Sequence, residues 1–203
     1  MGKLYLLSCL TTPLNNSHQA GANASSFKGD ANKIYTIGGS AGGALALQIA
    51  LQVIKDPKLK PSLKGIAAMV PCTSHWDSIP EKYKSKYTAY TDNGVDAPVI
   101  DKESMQIFYE QAGADPNDPE IFTILATDQH KNFPPVYFTS CEFDPLRDDA
   151  YVMEEALKEA GVPTKHDHYE GMPHYFWIFP PVTEGQTYVA NLIGGIEWLK
   201  SQM

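Results

Sequence analysis

Apolar residues along this chain fall into short runs rather than long stripes. "KIYTI" (33–37), "KGIAAMVPC" (64–72) and "PPVYFTSC" (134–141) are rich in β-branched and aromatic residues and bounded by turn formers, the pattern of strands buried on both faces. "TKHDHYEG" (164–171) reads as a further short strand. The intervening periodicity is helical. One helix is expected over 44–55, halted by Pro57. A second, amphipathic one covers 147–161, with Tyr151, Ala156, Leu157 and Ala160 on or near one face and Gly161 suited to the position after its end. A last helix covers 185–200, where the Gly194–Gly195 pair should cost about 1 kcal/mol per glycine. Strands alternating with helices predict a mostly parallel sheet flanked by helices.

Residues 73–132 break this rhythm. They are polar and rich in tyrosine and proline, with helical pieces near 81–90 and 102–112. The block is too long for an ordinary connection, so it is expected to be a helical, lid-like insertion over the edge of the sheet. At 203 residues the chain suits one domain, or a large part of one.

Composition narrows the function classes. With 43% apolar and 20% charged residues the chain is globular, not disordered. A net charge of −8 and the lack of a basic stripe argue against nucleic acid and anionic membranes as partners. No run approaches a membrane span, and "MGKLYLLSCLTTP" makes a poor signal peptide without a convincing cleavage site. The sequons at Asn15 and Asn23 would matter only on export. Cys9, Cys72 and Cys141 are too few and scattered for a disulfide framework or a zinc site; Cys72 and Cys141 read as small buried hydrophobes, and a reducing, cytoplasmic setting is expected.

The chemistry centres on "GGSAGG" (38–43). Here Gly38-Gly39-Ser40-Ala41-Gly42 matches G-x-S-x-G, with a strand entering and a helix leaving, the context of a nucleophile elbow. The serine takes a strained backbone at that corner, and side chains at Gly38 and Gly42 are expected to collide with the flanking elements. The Ala41 N–H, at the helix start, is the candidate oxyanion donor. A phosphate-binding glycine loop is the competing reading, but no P-loop lysine follows and no G-x-G-x-x-G spacing is present.

A serine needs a base and an orienting carboxylate, which in this topology follow in the order Ser, acid, His on loops after later strands. Asp144, in "DPLRDD" (144–149), stands where the third run ends; Glu142 is the reserve acid, while Asp148 and Asp149 read as helix-start residues. His174, in "GMPHYF" (171–176), lies in a loop after the next strand. His166 and His168 share one strand face and read as solvent-facing residues rather than a metal pair; His18, His75 and His130 lack comparable context.

These three strings, in this order, resemble the hormone-sensitive-lipase-like branch of the α/β-hydrolases, and "NFPPVYFTSCEFDPLRDDAYVMEEALKEAGVP" and "GMPHYFWIFPP" resemble its fungal esterases of polyketide secondary metabolism. The resemblance runs from about residue 20 to 203. It implies the α/β-hydrolase fold and a carboxylesterase acting on a small or medium ester, with Ser40 as nucleophile, His174 as general base and then acid, and Asp144 as its orienter. The block at 73–132 would line the substrate pocket. No cofactor or metal is implied. The family's H-G-G-G oxyanion loop does not occur, and residues 1–19 match poorly. The chain therefore looks like the C-terminal part of the fold, with N-terminal strands and oxyanion loop largely missing. An impaired, ligand-binding member and a lactonase, thioesterase or acyltransferase using the same triad remain alternatives. Oligomeric state and ester identity do not follow from the sequence.

Overall fold

The computed structural model describes residue 19, residues 21–179 and residues 183–202. The expectations for residues 1–18, including Cys9, Asn15, His18 and the leader-like run, lie outside the described residues.

Among the described residues four strands, β1 (Ile34–Gly39), β2 (Leu63–Met69), β3 (Val136–Phe143) and β4 (Thr164–Pro173), pair in the order β1-β2-β3-β4, all parallel. The helices that pack with them or follow them include α1 (Ala41–Lys55), the single turn α2 (Ala89–Asp92), α3 (Lys102–Ala112), α4 (Arg147–Glu159) and α5 (Thr183–Ser201). On one face, α1 packs on β1 and β2 and α4 on β3; α5 covers β2 and β3 from the other face. Alternate residues feed the two layers. Ile66, Ala68, Val136 and Phe138 join Leu47, Leu51 and Leu157 beneath α1 and α4, while Ala67, Met69 and Tyr137 join Tyr188 and Leu199 beneath α5. Burial on both faces is why β2 and β3 read as largely apolar runs. Each fully buried leucine contributes about 1.5–3 kcal/mol.

Of the α5 glycine pair, Gly195 has a packing reason, whereas a Cβ at Gly194 would meet only Lys165 Nζ at 4.0 Å. A Cβ at Gly195 would stand 2.5 Å from the ring of Tyr137, so the helix approaches β3 only because no side chain intervenes. The local helix cost is offset by contact with the sheet. On α4 the buried face comprises Ala150, Val152, Met153, Ala156 and Leu157. Tyr151 is not part of it: it is exposed and lies over the His166 ring at 4.6 Å.

Residues 73–132, the block read from the sequence as an insertion, pack on α1 and α4 and also reach the loop after β3 through Asn93. The block fills the place that a β2–β3 crossover helix would take between those two neighbours. Of its two expected helical pieces, 102–112 is an α-helix, started by an Asp101 carboxylate that accepts from Ser104 N–H at 2.8 Å and ended at Gly113 with φ +61°. The other is a 3₁₀ turn (Glu81–Lys86) followed by α2. Side chains from α4 hold the block. Asp148 accepts from the N–H groups of Thr88 and Ala89, both at 2.7 Å. Asp149 accepts from Thr73 N–H at 2.7 Å, Ser74 N–H at 2.8 Å and the Tyr87 hydroxyl at 2.7 Å. These two do begin the helix, but they serve the insertion as well.

Complete burial pushes the Asp149 carboxyl up to about 7 in spite of those three donors. The folded state thus holds the proton more tightly than the unfolded chain, so this group's contribution is full below about pH 4 and is lost as pH rises toward 7. Asp149→Asn should flatten the fall in unfolding free energy between pH 4 and 7, read by denaturant titration. Gly195→Val should lower stability by about 1–3 kcal/mol through the clash with Tyr137, read by thermal melting.

Candidate active site

Parallel strands deliver their following loops to one rim. Ser40 follows β1, Asp144 follows β3 and His174 follows β4. The Ser40 hydroxyl donates to His174 Nε2 at 2.9 Å, and His174 Nδ1–H donates to Asp144 Oδ2 at 2.7 Å. Asp144 is fully buried and His174 is 2% exposed, so water does not compete for the second bond. The structure therefore brings together all three residues singled out in the sequence.

Each is fixed by local backbone. Ser40 takes φ +56° and ψ −123°, a conformation that non-glycine residues avoid. Its N–H donates to Met69 C=O at 2.8 Å and its C=O accepts from Ala44 N–H at 3.0 Å, tying the corner to β2 and to α1. Gly38 is required as expected: a Cβ there would lie 2.0 Å from the Gly42 carbonyl oxygen. Gly42 departs from expectation, since a Cβ at that position meets nothing within 4 Å. The close approach is made by the Gly42 backbone, not by the space where its side chain would be. The crowded glycines are instead Gly39, whose Cβ would lie 2.2 Å from the Tyr175 hydroxyl, and Gly43, whose Cβ would lie 2.9 Å from the Met69 carbonyl oxygen.

Asp144 uses its other oxygen to accept from Leu146 N–H at 2.8 Å. Asn93 Nδ2 donates to the carbonyls of Glu142 at 2.8 Å and Asp144 at 3.1 Å, so the insertion clamps the acid loop. No sequence pattern marks Asn93, which lies in a polar stretch of many such residues. Glu142, the reserve acid, is committed elsewhere and accepts from Gly171 N–H at 2.6 Å. The His174 loop is anchored through Trp177, whose ring stacks on Tyr188 of α5 at 3.8 Å and 4°.

Ala41, the candidate oxyanion donor, is the first residue of α1, so its N–H is among the four without an intrahelical acceptor. It borders a cavity of about 530 Å³ that opens from Ser40 between α1 and the insertion, with Leu45, Met105, Phe108, Tyr109 and Phe122 in its wall. Cys72 lies in the same wall, buried and free, its thiol pushed far above the usual range by burial. Cys141 is likewise buried and free.

His168 is exposed, as expected, but the His166 side chain is only 7% exposed and is held by polar partners. Ser140 Oγ lies 2.8 Å from His166 Nε2 and 2.9 Å from His168 Nδ1, and Glu154 accepts from His166 Nδ1–H at 3.1 Å. The α4 carboxylate reaches down to β4, which alternation along the strand does not reveal. Among the described residues no group of three or more potential ligands could hold a metal ion. His130 is buried with Nε2 2.8 Å from Thr123 C=O, and burial holds its pKa below the usual value. No helix among the described residues is long and apolar enough to cross a membrane.

Comparison with known proteins agrees with this architecture. A model of the alpha/beta hydrolase fold matches residues 13–178. The chain is 68% identical over 184 residues to versiconal hemiacetal acetate esterase of Dothistroma septosporum, covering 91% of this chain and 56% of that protein. It is 35% identical to the protein of the same name from Aspergillus parasiticus, covering 80% of this chain and 52% of the relative. Among solved structures, vibralactone cyclase superposes with a TM-score of 0.87 at 36% identity over 93% of this chain and 56% of its own. A thermostable carboxylesterase cloned from a metagenomic library shares the fold with a TM-score of 0.78 at 21% identity, over 94% of this chain and 62% of its own. The chain spans about half the length of the curated relatives it matches. With a parallel sheet between helices, a serine on the corner after β1 and a family match over most of its length, this chain belongs to the α/β-hydrolase fold family.

Proposed function

We propose that this protein is a serine carboxylesterase, acting on a small or medium ester by an acyl-enzyme mechanism. The observation that carries the reading is the unbroken line from Ser40 Oγ through His174 to Asp144, at 2.9 and 2.7 Å. Ser40 attacks the ester carbonyl carbon as its proton passes to His174 Nε2. The buried Asp144 carboxylate holds the ring in the tautomer with its proton on Nδ1 and stabilises the imidazolium that forms. The carbonyl oxygen, now an anion, faces the Ala41 N–H and the positive end of α1. Collapse of the tetrahedral intermediate breaks the bond to the alcohol, and His174 returns the proton to the departing alkoxide. Water then attacks the acyl-serine with His174 as base, releasing the acid and restoring the Ser40 hydroxyl.

The relatives bearing the name versiconal hemiacetal acetate esterase support an acetate or similarly small acyl ester of a fungal polyketide as substrate. A second reading has one observation in its favour: the structural neighbour named a cyclase. The same triad can pass its acyl group to a hydroxyl of the substrate or to an added alcohol in place of water. Product analysis in water with and without alcohol acceptors separates the two.

The purified chain is expected to hydrolyse p-nitrophenyl acetate and to be labelled by a fluorophosphonate at Ser40, mapped by mass spectrometry. Ser40→Ala should abolish labelling and reduce turnover by about 10⁴-fold or more; Asp144→Asn, which disturbs the tautomer and leaves the packing, should reduce kcat by about 10⁴-fold. A folded wild-type chain that takes no label defeats the reading.

A further inference from the structure

We propose that the Tyr109 ring is a partition that sets the length of acyl group this site accepts, a proposal that rests on the esterase reading above. Two cavities flank it. The inner one, about 530 Å³, opens at Ser40; the outer one, about 470 Å³, is bordered by His75, Asp77, Gln106 and Glu110. Tyr109 and Ala114 border both.

The helix that carries Tyr109 explains the division. At about 100° per residue, Met105, Phe108 and Ala112 of α3 fall on one side and face the inner cavity, while Gln106 and Glu110 fall on the other and face the outer one. Tyr109 stands at the border between the two arcs. One wall is apolar and the other polar, so the ring separates two environments as well as two volumes. The ring is held in place: Phe122 meets it edge-on at 5.3 Å and 87°, Trp76 stacks on it at 5.5 Å, and its hydroxyl reaches Ser74 C=O at the long distance of 3.5 Å. These contacts come from both ends of the insertion, so the ring cannot swing aside without disturbing its neighbours.

The inner cavity suits the acyl group rather than the alcohol. The departing alkoxide takes its proton from His174 Nε2, so the alcohol must lie on the imidazole side of Ser40. His174 does not border the inner cavity, which is lined from Ser40 by Ala41, Ala44 and Leu45 of α1. An acyl chain entering there meets Tyr109 before it can reach the polar chamber. Chains that fit gain apolar burial at each methylene; longer ones must displace a packed ring.

The test compares kcat/KM over p-nitrophenyl esters from acetate to decanoate, and over acetate esters of alcohols of increasing length, for the wild-type chain and for Tyr109→Ala and Tyr109→Phe. In Y109A the decanoate-to-butanoate ratio should rise about tenfold or more, within the range that a pocket assigns to one or two methylenes. Y109F keeps the ring and should leave the ratio within about twofold of wild type. If Y109A does not fold, Tyr109→Leu retains apolar bulk in the cluster around Cys72 and carries the same expectation. An active wild type with an unchanged acyl ratio in the folded variant overturns the partition. A shift in the alcohol series alone overturns the acyl assignment. A wild-type chain that hydrolyses no ester overturns the esterase reading, and the partition falls with it.

Discussion

Ser40 holds φ +56° and ψ −123° because β1 must turn into α1 within a single residue, and that turn positions everything else at the rim. A strained residue of this kind costs of the order of 1–3 kcal/mol and persists only where its surroundings over-determine it. They do so here through main-chain bonds to Met69 and Ala44 and through the contact of Gly38 with the Gly42 backbone. A relaxed serine would lie along the strand or along the helix, and its hydroxyl would not meet an imidazole arriving from β4. The same corner leaves the Ala41 N–H at the head of a fifteen-residue helix. One backbone distortion therefore sets both the Ser40 hydroxyl, the proposed nucleophile, and the Ala41 N–H, the proposed oxyanion donor.

The other two members arrive by a different route. Because the sheet is parallel and its order sequential, the loops after β3 and β4 emerge at the same end as the corner after β1. Asp144 and His174 are 30 residues apart and His174 and Ser40 are 134 apart, yet each pair is within hydrogen-bond distance. Rigidity comes from neighbours that take no part in the chemistry: Asn93 on the acid loop, the Trp177–Tyr188 stack on the histidine loop, and Tyr175 lying across Gly39. A site mounted on strand ends and braced in this way keeps its geometry without substrate to organise it.

Much of this was legible in the order of residues, for a physical reason. Strands buried on both faces must be largely apolar, so 64–72 and 134–141 announce themselves, and the half-buried 33–37 does so through its β-branched and aromatic residues. A strand-to-helix corner must use small residues, so "GGSAGG" does too. What stayed hidden depends on long-range contact. Nothing near Gly195 in the chain says that Tyr137 will lie against it, and a helix-period reading can only count the glycine as a loss. Gly42 and Gly43 look equivalent on paper, but only the second would collide through a side chain. Alternation placed His166 and His168 on one face but could not show Glu154 descending from α4 to meet His166. Tyr151 fits the helical period, yet it stays outside because those histidine rings occupy the sheet surface beneath it.

The insertion shows how far a few buried carboxylates reach. Asp148 and Asp149 sit only four and five positions after Asp144, on the first turn of the helix that the acid loop enters. Through Thr73, Ser74, Tyr87, Thr88 and Ala89 they bind the block that carries Asn93 and α3. The wall of the inner cavity and Asp144, the proposed orienting acid, thus share one support. A change that loosens α4 at its start would move Tyr109 and Asp144 together, altering which chains fit and how well the imidazole is held. This coupling follows from chain order and those hydrogen bonds together: Asp144 stands three residues before Arg147, where the helix begins, and that helix is the surface against which the cavity wall is built.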